Sequence, residues 1–348
     1  MDAKPTEKIS IGGLRFSSEQ AQLDLAGGAP GSSDFVNFLD ELAENKINLP
    51  FLCLDTVHRT RASVCMSVED FEQQRQQLSA LLRRGPLSFE WTPSTGSLTL
   101  FPHQSRLRTL GALLEIFGKN RIPLYSVCSS ISALAVNIDY HQLNHAAQAL
   151  ETVFQLPENH SPFRQQATGD NTVPEGFACD HSAVVETAAA YWEPVIKIYG
   201  SSVKKELLMS SALIPESRLA LAGAQLQAVG SGKAVFEMAL MQRVDDKTYK
   251  LVLLYDSSLV ESYRALFKSS GPLFSIPDHR SAELLYLHGP HFHDRYGVAA
   301  AALSNLHMKN ELFAVGCAGT SIYLITPSKK AQLGADALKK IFMVPKFS

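Results

Sequence analysis

One run of secondary-structure signals recurs four times along these 348 residues. A period of that size restricts the chain to an array of like units more tightly than any single motif could. The run is strand, helix, strand, tight link, strand, helix. It is read from short apolar segments and from apolar spacings of three and four residues in the longer ones. The plainest copy opens at Ala282-Glu283-Leu284-Leu285-Tyr286-Leu287 and continues into a helix from Tyr296 to Lys309, apolar at Val298, Leu303 and Leu306. It then passes Leu312-Phe313-Ala314-Val315 and a turn from Gly316 to Gly319 into Ile322-Tyr323-Leu324-Ile325. A helix from Lys330 to Phe342 and the closing Met343-Val344-Pro345 complete a βαββαβ order.

A second copy runs from Leu98-Thr99-Leu100-Phe101 through a helix Leu107 to Gly118, then Leu124 to Val127, Leu134 to Ile138 and a helix His141 to Phe154. The first has Gln22 to Leu25, a helix capped near Ser32 or Ser33 and ending at Glu44, then Phe51 to Leu54, Ala62 to Met66 and a helix Glu69 to Arg84. The third has Leu207 to Met209, a helix Glu216 to Val229, strands Ala234 to Met241 and Tyr249 to Tyr255, and a helix Ser258 to Lys268. Lys8-Ile9-Ser10-Ile11-Gly12-Gly13 and Val195-Ile196-Lys197-Ile198-Tyr199-Gly200 stand in the same place before the first and third copies. The chain is therefore a duplicated pair with the divisions 1–94, 95–156, 157–194, 195–279 and 280–348. The stretch Pro157 to Asp180 has the composition of an exposed connection, and a helix from Ser182 to Trp192, stopped by Pro194, follows it.

The expected fold is α+β: four ferredoxin-like modules in two tandem pairs, each with a four-stranded antiparallel sheet and two helices on one face. Such a module leaves sheet edges and an apolar helix surface open, so the modules should pair side by side, and the protein should form a homodimer. With 45% apolar residues and a formal charge of −2, the chain has core enough for several units and no basic footprint for nucleic acid. No apolar stretch is long enough for a bilayer span and the start MDAKPTEK is polar, so a cytoplasmic protein is expected. Cys53, Cys65, Cys128, Cys179 and Cys317 are scattered without a C-x-x-C pair and, for the most part, sit in apolar runs, where a thiol acts as a small hydrophobe.

Asp294-Arg295-Tyr296-Gly297-Val298 resembles the D-R-x-G-[VIL] turn between first strand and first helix of ACT domains. The second copy is similar to the effector-binding ACT modules of aspartokinases, in Leu110-Gly111-Ala112-Leu113-Leu114-Glu115-Ile116-Phe117, in Tyr125 to Ser130 and in Ser132 to Asp139. It departs from them at Ile131, where those enzymes commonly carry Glu, and at Arg108, near the place of an expected Gly. The resemblance implies an amino acid as ligand, with lysine and threonine where the aspartokinase likeness points. No catalytic domain precedes the first module-like strand, so the expectation is a regulatory protein without catalysis of its own. It would bind its ligand at module interfaces and shift a subunit or enzyme-partner equilibrium.

The candidate binding residues lie in two places. In the second copy they are His103, Ser105, Thr109 and Leu110 at a strand-to-helix loop, where unpaired N–H groups can hold an anion, and Val127, Cys128, Ser129 and Ser130 beside it. The same residue types also suit a solvated loop with an N-cap and a Ser-rich turn. In the fourth copy they are His291, His293, Asp294, Gly297, Val298 and Gly316. His288, His291, His293 and Asp294 could in principle hold zinc or nickel, but Asp294 is also a sufficient N-cap, so neither a metal nor a cofactor is assigned. Two alternatives stand beside the regulator: an enzyme using the His288 to Asp294 loop through a metal or as a base, and a scaffold that only dimerises. Gly230-Ser231-Gly232-Lys233 follows a helix and precedes a strand, the wrong order for a phosphate loop, and reads as a C-cap and turn.

Overall fold

The computed structural model describes residues 8–28, 33–57, 59–130, 132–157, 195–230, 234–269, 279–289, 292, 295–306 and 312–344. The expected connection and the helix Ser182 to Trp192 lie outside the described residues, as do His291, His293, Asp294, Cys179 and Ser231 to Lys233.

The first half contains β1 (Ile9–Ser10), β2 (Gly13–Phe16), β3 (Gln20–Gly27), α1 (Asp34–Glu44), β4 (Phe51–Asp55), β5 (Thr60–Ser67) and α2 (Val68–Leu82). After these come the long β6 (Leu87–Phe101), α3 (Leu107–Asn120), β7 (Leu124–Ser129), β8 (Leu134–Asp139), α4 (Leu143–Glu151) and β9 (Phe154–Gln155). The second half contains β10 (Ile196–Lys197), the long β11 (Gly200–Pro215), α5 (Leu219–Gly230), β12 (Met238–Asp245), β13 (Thr248–Asp256) and α6 (Val260–Ser269). It ends with β14 (Arg280–His288), α7 (Val298–Ser304), β15 (Ala314–Ala318), β16 (Ser321–Pro327), α8 (Ala331–Leu338) and β17 (Phe342–Met343).

The fold is α+β, dominated by an antiparallel sheet of 13 described strands in the order β2-β6-β3-β5-β4-β15-β16-β14-β11-β13-β12-β7-β8, which closes on itself because β6 also pairs with β8. Closure removes the free edges that a smaller sheet would expose. β6 pairs with β3 up to Thr95 and with β8 from Thr95 to Leu100. β11 likewise serves two regions, pairing with β14 over Gly200 to Lys204 and again over Leu207 to Met209, and with β13 from Leu207 to Pro215. Each long strand turns at a register irregularity beside a non-glycine residue with positive φ: Ser94 at 58° and Glu206 at 59°. An extra residue in one strand bends it and increases its twist, and that bend lets one strand pass from one unit to the next.

Apolar alternation decides what each strand face meets. Leu52 and Leu54 of β4 pack toward helices, while Phe51 and Cys53 point into a core built of strand residues from all four units. That central core lies between two outer ones. The first and fourth units share one outer core, to which α1 contributes Phe35, Phe38, Leu39 and Leu42; the second and third share the other, to which α3 contributes Leu110, Leu113, Leu114 and Phe117. A strand buried on both faces needs a continuous apolar run, which explains segments such as Leu251 to Tyr255.

The side-by-side partners are not sequence neighbours, which corrects the expected tandem pairing. β4 pairs with β15, joining the first unit to the fourth, and β7 pairs with β12, joining the second to the third. Neighbours in sequence share a long strand instead, so their remaining edges are left to pair across the duplication. The lead segments also cross over: β1 pairs with β9 and β2 with the end of β6, while β10 pairs with β17.

Candidate functional site

Two interfaces join helix-bearing regions, α3 with α5 and α1 with α7, and described residues among the expected binding set fall on both. At the second–third interface α3 lies against α5 with backbones nearly touching. A β-carbon on Gly111 would stand 2.6 Å from the Gly223 carbonyl oxygen, and one on Gly118 2.3 Å from the Ala220 nitrogen. Glycine is required at these sites for packing, since neither has a left-handed backbone.

The head of α3 is closed by the third unit. Arg106 occupies the N-cap position and gives no side-chain cap, and the Leu107 N–H donates to the Ala234 carbonyl at 3.3 Å. The Phe236 N–H donates to the Ser105 carbonyl at 2.8 Å, and the Ala239 N–H donates to Ser129 Oγ at 2.8 Å. His103, 1% exposed, stacks on the Phe236 ring with centroids 5.2 Å apart. Its Nδ1 accepts the Ser105 N–H at 2.7 Å, and its Nε2 lies 2.8 Å from the Ser130 carbonyl. Those partners select the neutral ring with its proton on Nε2, and burial lowers the histidine's pKa.

The structure thus brings His103, Ser105, Ser129 and Ser130 together as the sequence implied, but around a protein segment, with Phe236 filling the space. Thr109 and Leu110 are buried in α3, and Val127 faces the helices. Two expected ligand contacts are corrected. Cys128 belongs to the central core, and Gly316 lies within it, where a β-carbon would meet Met238 Cε at 2.6 Å and Cys128 Sγ at 2.8 Å. Alternation along β7 and β15 turns both positions inward. Burial raises the thiols of Cys53, Cys65 and Cys128 well above their usual range and brings Cys317 to about 12, so all four behave as apolar groups.

The first–fourth interface is looser. Here α1 faces α7, and Leu39, Leu42, Ala43, Ile47 and Leu49 meet Phe292, Arg295, Gly297 and Val298 around a cavity of about 10 Å³, room for one water. Gly297 precedes α7 with φ of +78°, and a β-carbon there would lie 3.5 Å from Ala43 Cβ, an ordinary contact. Arg295 is 7% exposed, with Nη1 3.4 Å from the Val195 carbonyl. His288 sits apart, near Ser321 and Thr320 and against Tyr199.

Sequence reasoning missed the Ala234 to Ala239 segment and the α1 face. The glycines at 111, 118 and 223 were the available signal, because three glycines inside helices mark close backbone approach. Among the described residues no group of three or more His, Cys, Asp or Glu is placed to hold a metal, and no helix is long and apolar enough to cross a membrane.

No family model matches the chain, and no curated protein matches it. Among solved structures, the aspartate kinase from Synechocystis is similar over 97% of this chain and 57% of its own, with 10% identity and a TM-score of 0.74. The chain therefore spans a little over half the length of that kinase. The ligand-free regulatory subunit of aspartate kinase from Thermus thermophilus matches 42% of this chain and 99% of its own, at 13% identity and a TM-score of 0.37. The structural neighbours are aspartate kinases and their regulatory subunits. The expectation of a regulator without catalysis, and of a protein that is not an enzyme, is corrected by the first of these: the structure matching nearly the whole chain is that of an enzyme. Apolar periodicity reports packing and carries no information about catalysis, so the repeat had no bearing on this.

Proposed function

We infer that this chain works in an aspartate-kinase-like enzyme, its four units acting as ACT-type modules and an amino acid binding between the first and the fourth. The fold likeness to the Synechocystis aspartate kinase, at a TM-score of 0.74 over 97% of the chain, carries this reading. Two features direct the ligand to the first–fourth interface. It holds a cavity beside a left-handed glycine and a buried arginine, which suits a carboxylate, whereas between the second and third units Phe236 packs on His103 at the head of α3. The cavity is too small for an amino acid as it stands, so binding requires α1 and α7 to part, and that movement links ligand to activity.

The test measures aspartate-dependent ATP turnover by the protein against each of the twenty amino acids, with melting temperature read on the same samples. An amino acid that alters turnover should also stabilise, by about 2.7 kcal/mol at a hundredfold its Kd. Absence of turnover together with an unmoved melting temperature for all twenty would overturn the reading.

A further inference from the structure

The contacts of His103 make it more than a core residue. Ser105 has φ of 54°, and its N–H and carbonyl face opposite obligations: the N–H points to His103 Nδ1 and the carbonyl receives the Phe236 N–H. A second proton on the ring would place the Nδ1–H and the Ser105 N–H, two donors, 2.7 Å apart with no acceptor between them. One must turn away. If Ser105 moves, the bond to Phe236 goes with it, and the Leu107 bond to Ala234 lies two residues on.

The groups around the ring give an imidazolium little support. Arg106 follows on the same loop and is itself a cation. Beyond Phe236, Glu237 is held by Lys204 at 2.5 Å. From α6, the Tyr263 hydroxyl donates to the Val235 carbonyl at 2.9 Å, and on β7, two residues before Ser130, Cys128 is a buried thiol. A charged ring would keep its bond to Ser130, lose its bond to Ser105 and remain almost wholly desolvated.

We propose that His103 is a pH-sensitive latch that holds the Ala234–Phe236 segment over the head of α3, and that protonation releases this segment and opens the second–third interface. The latch does not depend on which ligand the protein takes. Because the folded pKa is depressed, the stability the latch contributes is complete above the unfolded value of 6.5 and is lost as pH falls from there toward the folded value.

Amide hydrogen exchange, corrected for its intrinsic pH dependence, reads the latch at the N–H groups of Ser105, Leu107 and Phe236. In the wild type their protection should fall together in acid, by about tenfold for each pH unit between 6.5 and the folded pKa and then level off, while amides of β8 and β13 stay protected. His103→Gln, which can donate and accept without titrating, should show a flat profile. Phe236→Leu lets water reach the ring, brings the folded pKa nearer 6.5 and should shrink the loss of protection, so a failure of the Gln variant to fold leaves a second measure. Wild-type protection that persists until the whole protein unfolds would overturn the proposal, as would a Gln variant that follows the wild type or a Leu variant whose loss in acid is as large as the wild type's.

Discussion

The α3–α5 and α1–α7 interfaces differ in what separates their helices. Between the second and third units, glycines bring α3 and α5 into backbone contact, and a neighbouring segment caps the helix head and fills its pocket. Between the first and fourth, side chains keep α1 and α7 apart around a cavity. A close-packed contact resists small displacements, because every atom already has neighbours on all sides, and a contact with a void yields to them. The α3–α5 contact is therefore the stiffer of the two and the α1–α7 contact the more yielding.

Enlarging a residue in the tight contact should have the largest effect. A β-carbon on Gly223 would stand 2.3 Å from the Glu115 nitrogen, so Gly223→Val must push two helices apart and should cost about 3 kcal/mol or more, read as a lower urea midpoint. An outcome near zero would mean that α3 and α5 are not in backbone contact. Removing the buried acceptor of the Ala239 N–H comes next: Ser129→Ala should cost about 2 kcal/mol in the same measurement, since that N–H is shut off from water.

On the looser side the effects shrink. Gly297→Ala has room for its methyl group but places a β-carbon at φ of +78°, so about 1 kcal/mol is expected, from backbone strain alone. A cost equal to that of Gly223→Val would erase the distinction between the two sides. The smallest effect is expected at the Ser304 Oγ donation to Asp40 Oδ1, 2.8 Å long and partly exposed, where Ser304→Ala should cost about 0.5 kcal/mol. Calorimetric titration of Gly297→Val with whichever amino acid stabilises the wild type sharpens the comparison, since a bulkier group beside the cavity should weaken binding while Ser129→Ala leaves it unchanged.

Much of the local structure was legible. The helices Asp34–Glu44, Leu107–Asn120 and Leu219–Gly230 fall where the apolar spacing put them, and β4, β7, β13 and β16 where short apolar runs did. The first part of β6 was not found. In Leu87 to Thr95, Pro93 and Ser94 carry turn chemistry, and the run reads as a loop because the bend at Ser94 is local while the strand continues on either side of it. Ala234 to Glu237 was read as strand, yet β12 begins at Met238 and the preceding residues are the ones that cover α3. Of the site, the clustering of His103 with Ser105, Ser129 and Ser130 was legible from spacing. That Phe236 occupies the middle of the cluster was not, because nothing local links residue 236 to residue 103.

The sequence by itself determined the α+β class and the order of most local strands and helices, since periodicity and turn chemistry act over a few residues and need no distant partner. The tertiary structure decided which units pair, because edges of similar strands can join in more than one way, and the long strands β6 and β11 settle it by carrying neighbours apart. It also decided which interface is filled and which keeps a cavity. That follows from the approach of Gly111 and Gly118 to α5 and from the close fit of Phe236 on His103, contacts that exist only once segments more than a hundred residues apart in sequence have been brought together.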